Sequence, residues 1–385
     1  MSTRLLLSCG EPSGDLYAGA LTRELRALDP GIDVVGMGGP EFAAAGGRLA
    51  ADYRGLAVTG LIEPLATVPR YLAAISTLTA LAKRERPAAA VLIDFPDFNF
   101  RLARALQRLG IPIVYYISPQ MWAWRAGRLK TMCRIADRVL VIFPFEEQFY
   151  RDGGAPAGLV EFVGHPLIDL IKPGAPREVF LQGQGLAAGA PTVAILPGSR
   201  SNEVGRILPD LVTAAKRMQA SVPAVQFVVA RAPHLDDQLF DVVRERQLTP
   251  VVIVEGHTDA VLASADVALI ASGTATVQAA LHDLPMVIVY RLSALTYWLG
   301  RRFVTIDTFG MVNLIAGEKI CPELIQDDFT PDAVAREGVA MLTDADRVAR
   351  IRAGLARVRE KLGGPGASRR AAAAILKVVD GHARH

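Results

Sequence analysis

A chain of 385 residues has room for two or three domains at about 150 residues each. With 51% hydrophobic and 21% charged residues it can bury sizeable cores, which excludes a disordered or fibrous protein. Against 39 Asp and Glu, 42 Lys and Arg leave a net charge of +3, too small to point to nucleic acid but compatible with an anionic membrane surface. Mean hydropathy is +0.28, yet no apolar run reaches the roughly 18 residues of a spanning helix. A transmembrane protein is therefore excluded, and a protein resting on a membrane is not.

The first apolar run, Arg4–Cys9, reads as a strand. Its Leu5-Leu6-Leu7-Ser8-Cys9-Gly10 start looks like a lipoprotein cleavage site, but the apolar stretch is far shorter than the roughly 7–15 residues of an export segment. Further strands are expected at Asp33–Met37, Ala90–Ile93, Ile113–Ile117, Val139–Ile142 and Glu161–Val163, then at Thr192–Leu196, Gln226–Ala230, Val251–Val254, Val267–Ala271 and Met286–Tyr290. Continuous rather than alternating apolarity suits strands covered on both faces, hence parallel sheets. Amphipathic stretches lie between them: Leu102, Leu106 and Leu109 share one helix face, and Arg101, Arg104 and Arg108 the other. Residues 169–190, rich in Pro and Gly, read as a linker. Val348, Ile351, Leu355, Val358 and Leu362 step by three and four in a helical tail broken at Gly363-Gly364-Pro365-Gly366. The expected architecture is α/β: two doubly wound parallel-sheet domains facing each other, 1–168 and 191–345, with a C-terminal helical tail, 346–385. The cysteines, Cys9, Cys133 and Cys321, lack paired spacing and suggest a reducing compartment, the cytoplasm.

Ligands of such sheets bind beyond the carboxyl ends of the strands. The turn after the first strand, Gly10-Glu11-Pro12-Ser13-Gly14-Asp15, is glycine-rich but is not the dinucleotide fingerprint. It reads either as a tight turn capped by Ser13 or Asp15, or as a sugar site in which Gly10, Ser13 and Gly14 admit the ring and Glu11 takes hydroxyls. The third expected strand opens into Asp94-Phe95-Pro96-Asp97-Phe98-Asn99. Asp97 or Asn99 reads as a helix cap, whereas Asp94 stands where a general base could work. Two later turns suit anions: Pro197-Gly198-Ser199-Arg200-Ser201-Asn202-Glu203 and Ser272-Gly273-Thr274-Ala275-Thr276. Each offers free N–H groups at a helix start, and Arg200 adds a planar fork for phosphate oxygens. Trp122 and Trp124 read as a cleft wall or a membrane-interface pair, and the apolar stretches Gly55–Leu81 and Leu292–Phe303 as core or as acyl-chain and membrane contacts. The histidines His165, His234, His257 and His282 lack ligand spacing, and no metal is expected.

Together these segments resemble one family over nearly the whole chain, lipid-A-disaccharide synthase. The resemblance is carried by Gly10–Asp15, Val58–Glu63, Asp94–Asn99, Ser118–Arg125, Pro144–Glu146, Gly164–Leu167, Pro197–Arg200, Ser272–Thr276, Pro285–Arg291 and Asn313–Gly317. It implies a GT-B glycosyltransferase of two Rossmann-like domains, lipid acceptor mainly on the first and nucleotide-sugar mainly on the second, with C-terminal helices 346–385 joining the first. It also implies the joining of UDP-2,3-diacylglucosamine to 2,3-diacylglucosamine 1-phosphate through a β(1→6) bond, without cofactor or metal, at the cytoplasmic face of the inner membrane of a Gram-negative-type bacterium. A homodimer is a candidate assembly, and nucleic acid is not an expected partner. An α-linked donor giving a β product requires inversion, so Asp94 is expected to act as base, with Glu11 beside it. Substrate contacts are expected from Gly10, Ser13, Gly14, Asp97, Trp122, Arg200, Glu203, Ser272, Gly273, Thr274, Gln278 and Asn313, with Asp94 and Arg200 converging on one glycosyl diphosphate. Departures from the family pattern are Gln278 for a common Glu, Tyr17 for His and Thr59 for Met. The competing readings are a UDP-sugar 2-epimerase and a non-catalytic nucleotide-sugar or lipid binding protein.

Overall fold

The computed structural model describes residues 3–54, 64–124, 126–171, 174–233, 235–291 and 308–382. The segment Val58–Glu63, Arg125, His234, and the stretch Leu292–Phe303 lie outside them, as do the side chains of Ala123 and Trp124.

The chain divides into two compact units, Met1–Leu170 with Leu362–His385, and Ile171–Arg302 with Ile306–Lys361. The first carries strands β1 (Arg4–Ser8), β2 (Asp33–Gly38), β3 (Arg48–Asp52), β4 (Ala89–Ile93), β5 (Ile113–Tyr116), β6 (Arg138–Val141) and β7 (Val160–Phe162). Among them run α1 (Pro12–Leu28), α2 (Pro40–Ala44), α3 (Pro64–Glu85), α4 (Pro96–Gln107), α5 (Met121–Trp124), α6 (Leu129–Ile135), α7 (Pro144–Asp152) and α8 (Leu167–Leu170). The second unit runs α9 (Arg177–Gly183), β8 (Thr192–Leu196), α10 (Ser201–Ser221), β9 (Gln226–Arg231), α11 (Asp241–Glu245), β10 (Val251–Glu255), α12 (Thr258–Ser264), β11 (Val267–Ala271), α13 (Thr274–Leu281) and β12 (Met286–Tyr290). It continues with α14 (Met311–Ala316), β13 (Glu323–Ile325), α15 (Pro331–Thr343) and α16 (Ala345–Lys361), and α17 (Ala367–His382) then returns to the first unit.

Both sheets are parallel. Their orders are β3-β2-β1-β4-β5-β6-β7 and β10-β9-β8-β11-β12-β13. The order reverses between β1 and β4 in one and between β8 and β11 in the other, and a crevice opens at such a reversal. The central strands are buried along their length, as their continuous apolar sequences require. On α4, Leu102 and Leu106 enter the core while Arg101, Arg104 and Arg108 stay in solvent.

Two edge strands, β3 and β13, were not foreseen, because an edge is half-solvated and carries no apolar run: Arg48 and Leu49 of β3 are exposed. The tail also divides differently from the expectation. Residues 346–361 pack as α16 within the second unit, where Lys361 Nζ donates to the carbonyls of Ile315 and Ala316 at 3.1 and 2.8 Å. Only the chain from Leu362 onward joins the first unit. There the Asp169 carboxylate accepts from Gly366 and Ser368 N–H at 2.6 and 2.9 Å and caps α17, and Arg370 Nε donates to the Val163 carbonyl at 2.8 Å. The expected linker is not all linker, since α9 lies inside it and is tied to the second unit by Arg177, whose guanidinium meets both Asp266 oxygens at 3.0 and 2.9 Å.

Candidate active site

In the first unit the crevice lies beyond β1 and β4. Gly10 follows β1, and a Cβ there would fall 2.0 Å from the Phe95 ring, so only glycine lets the two post-strand turns interlock. Glu11 is the N-cap of α1 in extended conformation, with no side-chain cap of its own. Neither Ser13 nor Asp15 caps α1. The buried Asp15 carboxylate instead accepts from Gly39, Glu41 and Phe42 N–H at 2.7, 2.9 and 3.1 Å and so caps α2. Gly14 is buried, with an added Cβ only 3.2 Å from Cys9 Cβ, so it packs α1 against the strand.

The turn after β4 carries the most strained backbone of the site. Asp94 and Phe95 adopt φ of 42° and 47°, the left-handed region that non-glycine residues avoid. Such strain costs about 1–3 kcal/mol per residue and persists only where neighbours over-determine it. Here they do. Asp94 N–H donates to the Tyr116 carbonyl at 3.1 Å, and its carbonyl accepts from Tyr115 Oη and Asn99 Nδ2, both at 2.7 Å. Asn99 is buried, and its Oδ1 accepts from Ser8 Oγ at 2.8 Å, joining the turn to β1. Asn99 is therefore a brace, and the N-cap position of α4 falls to Phe95. Asp97 is exposed and paired with Arg128 at 2.6 Å.

Beside this turn, Trp122 stacks edge-on against Phe145 with ring centroids 5.3 Å apart, and its buried indole nitrogen makes no hydrogen bond of good geometry. Glu146, 1% exposed, accepts from Phe143 and Ile142 N–H at 3.0 and 3.2 Å. Burial pushes its carboxyl up to about 8, against the pull of those N–H groups and the Trp122 indole, and the Asp94 charge adds to the rise. Burial holds His165 down to about 3, hence neutral, and its ring lies between Tyr17 and Phe143. The Asp94 charge also adds to the burial that raises the Tyr17 and Tyr115 hydroxyls. Glu146, His165, Tyr17 and Asn99 were not read as site residues. The segments Pro144–Glu146, Gly164–Leu167 and Asp94–Asn99 held three of them, and Tyr17 stood out as a departure from the family pattern.

In the second unit the turns after β8 and β11 meet at the other crevice. Gly198 has φ +121°, and Arg200 is the N-cap of α10. Arg200 Nη1 lies 3.1 Å from Glu203 Oε1, so these two are one ion pair rather than two independent ligands. Their charges also reach Tyr290 at the end of β12, whose hydroxyl is raised by burial and by Glu203 and lowered by Arg200 and Arg206. Ser272 donates from Oγ to the Phe309 carbonyl at 3.1 Å. At Gly273, φ +155°, an added Cβ would meet nothing within 4 Å, and Thr274 begins α13 exposed. Glu203 and Thr276 N–H donate to the Arg200 and Gly273 carbonyls at 2.9 and 3.0 Å, and the positive dipole ends at the starts of α10 and α13 are suited to an anion.

One expected contact is placed otherwise. Asn313 is 1% exposed, and its amide is consumed: Nδ2 donates to the Cys321 carbonyl and Glu323 at 2.8 and 2.7 Å, and Oδ1 accepts from Ile320 and Cys321 N–H, both at 2.9 Å. It braces the approach to β13 and has no hydrogen-bonding capacity left for substrate. Gln278 donates from Nε2 to Asp259 at 2.7 Å. Among the described residues no group of three or more His, Cys, Asp or Glu side chains is arranged to hold a metal ion.

Two Rossmann-like units, each with functional turns at its strand-order reversal, define the class: a GT-B-type α/β protein. Solved structures share the fold. The UDP-GlcNAc 2-epimerase from Neisseria meningitidis superposes with TM-score 0.70 at 13% identity over 98% of this chain and 100% of that one. The calicheamicin glycosyltransferase CalG4 does so with TM-score 0.62 at 17% identity over 98% of each. The model of the lipid-A-disaccharide synthetase family matches residues 5–378. The lipid-A-disaccharide synthases of Anaeromyxobacter dehalogenans and Myxococcus xanthus are 44% and 41% identical over 98% of this chain and 98% and 97% of theirs. The chain belongs to the lipid-A-disaccharide synthase family, and it is a glycosyltransferase.

Proposed function

We propose that the protein condenses UDP-2,3-diacylglucosamine with 2,3-diacylglucosamine 1-phosphate, forming a β(1→6) disaccharide 1-phosphate and UDP. The family match over residues 5–378 carries this reading, and the braced Asp94 turn gives it a chemical centre. The acceptor 6-oxygen attacks the anomeric carbon, the bond to the β-phosphate breaks, and the hydroxyl proton passes to the Asp94 carboxylate in a single inverting displacement. Glu11, at the adjoining turn, positions the acceptor sugar. Negative charge gathers on the departing phosphate, where Arg200 and the N-termini of α10 and α13 offset it. Incubation with both lipid substrates, read by mass, should give one disaccharide and one UDP per turnover, while the UDP-sugar alone stays unchanged. Conversion of the UDP-sugar alone would favour the epimerase reading, and binding of both without product would leave only a binding protein.

Both substrates carry acyl chains, and we assign a shallow membrane contact to the first unit. No helix among the described residues is long and apolar enough to cross a membrane. On α3, however, Val68 and Leu72 are 42% and 53% exposed, and Tyr71 of the same helix packs against Phe95 and Phe98 of the Asp94 turn, 5.6 and 5.1 Å between ring centroids. Together with the exposed arginines of α4 this surface suits an anionic bilayer. Flotation with anionic vesicles should recover the protein at low salt and lose it at high salt. No recovery at low salt would refute the contact.

A further inference from the structure

The turn that opens α13 is held from behind by a chain of hydrogen bonds that begins on the edge strand β13. Register sets Glu323 of β13 opposite Ile288 of β12, next to Val289, whose carbonyl accepts from Ser272 N–H at 2.9 Å. Glu323 Oε2 accepts from Phe309 N–H at 2.8 Å. Its Oε1 accepts from Gly310 N–H at 2.9 Å and from Asn313 Nδ2 at 2.7 Å. The carbonyl of the same Phe309 accepts from Ser272 Oγ at 3.1 Å. Gly310 has no room for a side chain, since an added Cβ would fall 2.6 Å from Ile288 Cδ1 and 2.8 Å from Glu323 Oε1.

Three N–H donors here meet a group that only accepts, and a glutamine in its place would set an NH2 against one of them. Beyond this grip the α13 turn is sparsely held. A Cβ added at Gly273 would meet nothing within 4 Å, and Thr274 is exposed. The Gly273 carbonyl accepts from Thr276 N–H and Oγ1 at 3.0 and 2.7 Å, bonds internal to the turn and its helix. A hydroxyl has one proton to donate, and the Phe309 carbonyl takes that of Ser272. Ser272 thereby ties the turn sideways to Phe309 and, through it, to Glu323.

We propose that Glu323 is a positioning residue of the nucleotide-sugar site: by gripping Phe309 and Gly310 it fixes the carbonyl to which Ser272 is tied, and so sets the main chain of Ser272–Thr274 before the diphosphate arrives. This rests on the reading of the second unit as the donor site. A loop ordered in advance loses less conformational freedom on binding, so affinity is gained without any contact between Glu323 and the ligand.

The test is a cycle in the full-length enzyme: Glu323→Gln, Ser272→Ala and the double variant. Glu323→Gln keeps the shape but turns an NH2 against one of the three donors. UDP affinity, read by calorimetric titration, should fall about five- to tenfold, the scale of one hydrogen bond. KM for the UDP-sugar should rise with it, while KM for the acceptor stays within about twofold of the parent. Ser272→Ala cuts the tie at its other end and should act alike. Because both changes break one chain, the double variant should bind UDP within about twofold of the weaker single variant, whereas independent losses would multiply. If Glu323→Gln does not fold, Gly310→Ala crowds the same turn from the other side and takes its place in the cycle. Variants that lower the melting temperature but keep the parental UDP affinity would overturn the proposal. Equal losses for UDP-sugar and acceptor would do the same, as would a double variant whose losses multiply. If Arg200→Ala leaves UDP binding intact, the donor-site reading itself fails. If Arg200→Ala weakens UDP while the Glu323 and Ser272 variants bind it normally, only this inference fails.

Discussion

Asp94→Asn is expected to lower kcat by about 10²–10⁴-fold, the usual contribution of a general base, while UDP affinity stays within about twofold of the parent. The variant is a clean one. Asparagine matches aspartate in shape and tolerates the left-handed φ of 42° at this position, so the turn should survive. The main-chain bonds from Tyr115, from Asn99 and to Tyr116 do not involve the carboxylate at all. The capacity to take a proton is lost, together with the charge that adds to the rise of Glu146, Tyr17 and Tyr115. Retention of a tenth of the parental rate would remove Asp94 from the role.

Arg200→Ala is expected to weaken UDP binding by about 10–100-fold, the loss of a charge-assisted hydrogen bond of about 1.5–3 kcal/mol, and to lower turnover with it. Part of that loss comes from the group left behind. Glu203, with a side chain 17% exposed, is held 3.1 Å from Arg200. Without its partner it places an uncompensated negative charge beside the diphosphate. Adding Glu203→Gln should therefore recover part of the affinity, as read by calorimetric titration with UDP. Unchanged UDP affinity in Arg200→Ala would refute the diphosphate assignment.

Asp94 and Arg200 could be read from the sequence because one directly follows β4 and the other lies in the turn after β8, and strands buried on both faces announce themselves as apolar runs. The pairings around them could not. Asn99 holds Ser8, 91 positions away, and Gln278 holds Asp259, 19 positions away, and no local pattern records either. Asn313 misled for the same reason: a polar residue in a conserved-looking segment reads alike whether its amide faces a ligand or, as here, satisfies the backbone of Ile320 and Cys321. The break at Gly363 was legible, but which unit each side of it joins depends on Asp169, nearly 200 residues upstream.

That last connection bears on how the protein is made. α1 precedes the second unit in the chain, and the helix that covers it, α17, follows that unit, burying Ala371 and Ile375 and drawing Arg369 to within 3.9 Å of Glu24. The intervening unit can complete its own sheet during translation. The amino-terminal sheet must wait, one helix face uncovered, until α17 has been synthesised.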